Sequence, residues 1–102
     1  MKDGVLHLVN SYTWYDMIER GEKPEEYRDI ATWKRTICVH PGKLIQSGEK
    51  IKTDVRYVCF HRGYTNTTMT WSVEEITAGR GNPKWGAPDK EVFIIKLKRR
   101  VK

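Results

Sequence analysis

From Lys52 onward the chain has few options other than β-structure. Lys52 to Phe60 alternates, with Val55, Tyr57 and Cys59 on one face and Arg56, Val58 and Phe60 on the other. That is the two-residue period of an extended strand. Apolar groups fall on both faces, which predicts a strand covered on both sides. Arg62-Gly63-Tyr64-Thr65-Asn66 reads as a turn-rich loop. Thr68 to Ile76 then alternates again, with Met69, Trp71 and Val73 opposite Thr70, Ser72 and Glu74. Ala78 to Asp89 holds three Gly and two Pro, too many for a long regular element, and it carries Trp85. Glu91 to Arg99, with Val92-Phe93-Ile94-Ile95, closes the chain as a β-branched and aromatic strand.

Helical signals are confined to the first half. Val5 to Val9 is a short apolar run suited to a buried strand, followed by Asn10 and Ser11 as candidate N-caps. In Thr13 to Arg20, Trp14, Met17 and Ile18 form one apolar stripe, and Gly21 suits the left-handed position that ends a helix. Glu25 to Arg28 is a short extended run. Asp29 then caps a helical turn, Ile30 to Arg35, with Ile30 and Trp33 as its inward pair. Thr36 to Val39 reads as extended, His40-Pro41-Gly42 as a turn, and Leu44 to Lys50 as a polar loop bending at Gly48. Helices gathered early and five or six strands, mostly late, argue against a doubly wound βαβ sheet. The prediction is an α+β fold, a small curled or closed β-sheet carrying one or two short helices. At 102 residues the chain forms a single domain, 1–102.

The net charge of +6 invites a nucleic-acid partner. Its placement tempers that reading. Lys96, Lys98, Arg99, Arg100 and Lys102 all lie in the last seven residues, and taking those five from +6 leaves +1 for the rest. The basic character is thus expected to sit largely in a C-terminal tail, 96–102, able to hold phosphate by counterion release or simply to stay solvated. No apolar run approaches the ~20 residues that span a bilayer, and the start lacks the apolar core of a secretory signal. A cytoplasmic protein without a membrane partner is expected.

Two Cys sit in matching contexts, Cys38-Val39-His40 and Cys59-Phe60-His61. Paired strands can offer such a set to zinc, but structural sites space their Cys ligands by two to four residues. The spacing therefore disfavours a metal site, and none is expected. No Gly-x-Gly-x-x-Gly opens a helix and no Walker pattern is present, so no cofactor is expected.

What remains is Lys23, Glu26 and Arg28, bracketing a helix-to-strand turn. The ordinary reading is a surface ion pair contributing little. The alternative is one polar pocket, with Lys23 as a point charge or, if desolvated, a base, and Arg28 as a fork for phosphate or carboxylate. Tyr64 and Trp85, both in loops, can stack on a base.

Gly21-x-Lys23-x-x-Glu26-x-Arg28, between an amphipathic helix and a strand, resembles the signature of the ASCH domain in the PUA-like superfamily. The opening Val-Leu-His-Leu, the Arg62-Gly63-Tyr64 turn and the loop Gly81 to Pro88 are also similar to small single-domain ASCH proteins of bacteria and phages. The resemblance implies a β-barrel of five or six strands with helices at its ends. It also implies a cleft that binds RNA, a nucleotide or a modified nucleoside through Lys23, Glu26, Arg28, Tyr64 and Trp85. One branch of that family deacetylates acetylcytidine nucleosides with a Lys, a Thr and a Glu, and another is linked to RNA cleavage. The Lys matches Lys23, the Thr position falls on Glu26, and the distant Glu falls on Glu74 or Glu75. A carboxylate at position 26 cannot act as the hydroxyl nucleophile, and beside Lys23 it would raise the lysine pKa. Catalysis by Lys23 and Glu26 is therefore the alternative to binding. Oligomeric state is not legible.

Overall fold

The computed structural model describes residues 3–102. The fold is α+β: a curled five-stranded half-barrel with two helices, consistent with a PUA-like barrel. In chain order the elements are β1 (Val5–Asn10), α1 (Tyr12–Glu19), β2 (Glu25–Arg28), α2 (Ile30–Ile37), β3 (Tyr57–Arg62), β4 (Thr68–Arg80) and β5 (Glu91–Arg100). The sheet order is β1-β3-β4-β5-β2. Only β1 and β3 run parallel; every other pair is antiparallel. Among the described residues, no helix is long and apolar enough to cross a membrane.

The chain leaves one edge of the sheet at β1, passes through α1 and joins the opposite edge as β2. Leu6, Leu8 and Asn10 take the inward positions of β1. Helix α1 meets them with Tyr15 and Ile18; of the expected stripe Ile18 is buried, whereas Trp14 and Met17 are only half-buried. Gly21 ends α1 at φ +78°, its amide bonding the Ile18 carbonyl while Glu22 bonds that of Met17. This paired closure satisfies two of the helix's orphan carbonyls and turns the chain at once into β2. Helix α2 is capped by Asp29, which accepts from the Thr32 amide at 2.9 Å. It continues to Ile37, two residues past the predicted end, because Ile30, Trp33 and Ile37 share one face and Ile37 is buried. Thr36 and Ile37 are thus helical rather than extended.

The second half departs from the alternation pattern in three places. Lys52 to Arg56 precedes β3 without joining it. The Thr53 hydroxyl bonds the Ile37 carbonyl and accepts from the Val55 amide, and Cys38 and Thr53 form an isolated bridge. Side-chain bonding here replaces a strand ladder. Strand β3 is covered on one face only: Val58 and Phe60 are in the core, while Tyr57 is exposed and Cys59 and His61 are half-buried. Strand β4 runs four residues past its predicted end. Irregular register between Ser72 and Glu75 changes its phase, so that Met69 lies inward before it and Ile76 and Ala78 after it.

The expected basic tail is instead the second half of β5. Leu97 is buried between exposed Lys96 and Lys98, the Lys96 side chain pairs with Glu74 and that of Arg100 with Glu19. Alternation of inward apolar and outward basic residues gives this segment a sheet partner, which a solvated terminus lacks.

Candidate functional site

Strands β1 and β2 are the two edges of the sheet, and no backbone ladder joins them. Side chains close the gap instead. Nη2 of Arg28, on β2, donates to Asn10 Oδ1 at 2.6 Å and to the Val9 carbonyl at 3.2 Å, both on β1. A cleft of about 250 Å³ opens at this seam. Asn10, Trp14, Glu26, Tyr27, Arg28 and Trp85 are among the residues that line it.

The strand pleat places Glu26 and Arg28 on one side of β2, as the two-residue period predicts. Glu26 is 6% exposed. Its Oε1 accepts from the Tyr27 amide at 2.9 Å and stands 3.4 Å from Lys23 Nζ, and its Oε2 stands 3.4 Å from Arg28 Nη2. Lys23 is 1% exposed. Its tightest polar contact is the Trp85 carbonyl at 2.6 Å, well inside the Glu26 distance. The ammonium also lies 4.5 Å from the Tyr27 ring centre and 5.5 Å from that of Trp14, within the range of cation–π attraction. Burial lowers the Lys23 pKa from 10.5, and Glu26 offsets this only in part. The carboxylate was expected to raise it; desolvation is the larger effect at this depth.

The Trp85 loop is held by three separate contacts from this side of the fold. Lys23 bonds the Trp85 carbonyl, the Tyr27 hydroxyl accepts from the Asn82 amide at 3.0 Å, and Lys90 pairs with Asp29 at 2.5 Å. The Tyr27 hydroxyl in turn donates to Glu25 at 2.6 Å, and burial followed by that carboxylate pushes its pKa up. Within the loop, Asn82 caps a single 3₁₀ turn, Pro83–Trp85, that Gly86 ends at φ +91°. Close packing leaves no room for a side chain at Gly81, where a Cβ would meet the Tyr27 ring and the Ala87 methyl.

Of the residues expected to form a site, Lys23, Glu26, Arg28 and Trp85 come together. Lys23 lies behind the cleft wall and does not line it. Tyr64 is 98% exposed in the β3–β4 turn and is likewise not a lining residue. Glu74 pairs with Lys96 and, with Glu75, borders a different depression. Two site residues escaped the sequence reading. Asn10 continues the inward phase of Leu6 and Leu8, a signal masked by its suitability as a helix cap. Trp14 had been assigned to the core, and it faces the loop: a Cβ on Gly86 would lie 2.9 Å from its indole.

Among the described residues, Asn10 Nδ2 and Arg28 Nε are buried side-chain nitrogens without a hydrogen-bond partner in the protein. An unmet buried donor costs about 1–3 kcal/mol, and both belong to residues lining one cleft. The cleft thus sets an amide and a guanidinium beside two tryptophans, an arrangement suited to an acceptor-bearing aromatic group. Comparison with protein-family models, with curated proteins and with solved structures returned no match.

Proposed function

We propose that the seam between β1 and β2 binds an unpaired nucleobase, as a free nucleotide or modified nucleoside or as one exposed base of an RNA. The carrying observation is a cleft whose lining sets the Asn10 amide and the Arg28 guanidinium, each with one side-chain nitrogen lacking a protein partner, beside Trp14 and Trp85. Base edges offer carbonyl and ring-nitrogen acceptors to such donors, and Trp85 or Trp14 offers a stacking face. The volume, about 250 Å³, lies below the roughly 300–1,000 Å³ of drug-sized pockets, which favours one base over a longer segment. Lys23 serves here as a positioning residue: it holds the Trp85 carbonyl and balances Glu26. This reading agrees with the resemblance to ASCH domains carried by Gly21, Lys23, Glu26 and Arg28.

The test is equilibrium titration with a panel of nucleosides, nucleotides and short single-stranded RNAs, followed by tryptophan fluorescence and calorimetry. Trp85→Ala is expected to weaken binding by about fivefold to 150-fold, the equivalent of roughly 1–3 kcal/mol per stacked base. Arg28→Lys is expected to weaken it as well, since an ammonium cannot replace the Nε donor. Unchanged affinity of both variants for every ligand that the native protein binds sinks the assignment.

One observation favours a second reading, hydrolysis. The burial that lowers the Lys23 pKa is the condition under which a lysine acts as a base. It predicts turnover of acylated nucleosides or RNA that Glu26→Gln abolishes. Because Nζ is committed to the Trp85 carbonyl, the substrate would first have to displace that loop. Absence of turnover across the same panel retires the reading.

A further inference from the structure

We propose that His7, Cys59 and His61 form a binding site for a zinc-class divalent ion on the outer face of the sheet. The three donor atoms lie within 4.8 Å of one another. None of these residues lines the cleft at the seam. The parallel register sets His7 beside Cys59, and the pleat returns His61 to the same face two residues later. Sequence reading paired Cys59-x-His61 with Cys38-x-His40 and disfavoured zinc because these Cys are not two to four residues apart. Instead, Cys38 bridges Thr53 and borders a separate depression with His40. The partner of Cys59-x-His61 is a histidine more than fifty positions upstream.

Two of the three donor distances fall near those of a metal's coordination sphere, and the third lies within 4.8 Å. His7 Nδ1 and His61 Nε2 are 3.0 Å apart, and Cys59 Sγ is 3.8 Å from the same Nε2. Zinc bonds of about 2.0–2.1 Å to nitrogen and 2.3 Å to sulfur, at tetrahedral angles, give ligand edges of about 3.3 Å N···N and 3.6 Å N···S. Small side-chain rotations therefore suffice to seat the ion. The imidazole rings are tilted by 48° with centroids 5.3 Å apart, so the contact is edge-on through nitrogen and not a stack. A thiolate and two imidazoles select zinc and its neighbours over magnesium or calcium, which need oxygen donors. The residues flanking the set in register are Thr68 and Thr70 on β4 and Val5 and Val9 on β1. None of these side chains is a carboxylate, although Asp3 bonds the Val5 amide and the terminal residue Lys102 bonds Thr70; His7 is exposed. With His7 exposed, the fourth position is assigned to water or to a ligand from outside the chain.

The full chain, stripped of metal, is titrated with Zn²⁺ by calorimetry and with Co²⁺ by absorption. The expected result is one ion per chain and a thiolate-to-cobalt charge-transfer band. Cys59→Ser removes the band, and Cys38→Ser leaves it unchanged. His7→Gln and His61→Gln each weaken zinc by at least the roughly 10–100-fold that loss of even an outer-shell partner costs. His7 is exposed, so His7→Gln remains informative even if Cys59→Ser loosens the sheet; circular dichroism of the metal-free variants separates the two effects. Failure to take up zinc reduces the cluster to an imidazole–imidazole hydrogen bond and overturns the proposal. So does a charge-transfer band that survives Cys59→Ser, or zinc affinity untouched by His7→Gln.

Discussion

Replacing Lys23 by Met tests whether the buried ammonium holds the site together. Met fills most of the same volume, so the effect is polar and not a cavity. The change removes the 2.6 Å bond to the Trp85 carbonyl; a hydrogen bond to a charged group contributes about 1.5–3 kcal/mol. It also removes one of two cations near Glu26. Stripping a buried pair of one partner costs about 3–5 kcal/mol, but Glu26 keeps the Tyr27 amide at 2.9 Å and Arg28 at 3.4 Å. That figure is therefore a ceiling, and release from burying the ammonium acts in the opposite direction. A net loss of about 2–3 kcal/mol is expected, a large share of the roughly 5–15 kcal/mol that holds a domain together. Glu26→Gln in the same chain should recover about 1 kcal/mol, because a neutral amide no longer needs the cation; neighbouring charges couple by about 0.5–3 kcal/mol. Urea denaturation of the native protein, both single variants and the double variant gives the cycle, and hydrogen exchange at Trp85 and Gly86 reports the loop. Native stability for Lys23→Met with unchanged exchange, or strictly additive losses in the double variant, refutes the reasoning.

Gly81→Ala forces a methyl against Tyr27 and Ala87, an overpacking expected to cost about 1–3 kcal/mol; thermal melts and quenching of Trp85 by iodide check it. Burial makes Lys23 release its proton in the folded protein below the 10.5 of the free side chain. Stability should therefore rise with pH through the interval between the lowered pKa and 10.5, and Lys23→Met should flatten that rise in alkaline urea titrations. Asp29 acts at the other end: Lys90, then Thr32, holds its carboxyl at about 2 against an ordinary 3.8. Its contribution is present above 3.8 and lost as pH falls through about 2, so Asp29→Asn should blunt the steepest part of acid unfolding. Deleting residues 96–102 should unfold the protein by circular dichroism, since it removes half of β5 and the buried Leu97; a folded product with only weaker salt-dependent binding would restore the tail reading.

The elements legible in the sequence were those whose stabilising partners are local. Gly21 and Asp29 announced the ends of two helices because their effects act within four residues. Glu26 and Arg28 were placed on one face correctly because a strand's pleat is also local. Longer-range partners decided the rest. Ile37 prolonged α2 through the core, Thr53 removed Lys52 to Arg56 from the ladder, and the irregular register beyond Ser72 changed the phase of β4 in a way alternation cannot show. At the site, the charge of Lys23 was visible but its depth was not, and depth decides that its pKa falls. Tyr64 and Trp85 looked alike as loop aromatics. Only Trp85 is drawn to the cleft, through a backbone carbonyl that sequence does not display.

The seam that Arg28 bridges also bears on self-association. A curled sheet that stops short of closure has two free edges, each a template for a strand of another molecule. Here, where the edges approach, the Val9 carbonyl is capped by a guanidinium and α1 links the two strands. The mouth of the seam is thus also where the β1 edge offers one acceptor fewer to a further strand. Widening the seam would uncap that carbonyl, so if the proposed binding holds, the room for a guest is tied to keeping the β1 edge unpaired.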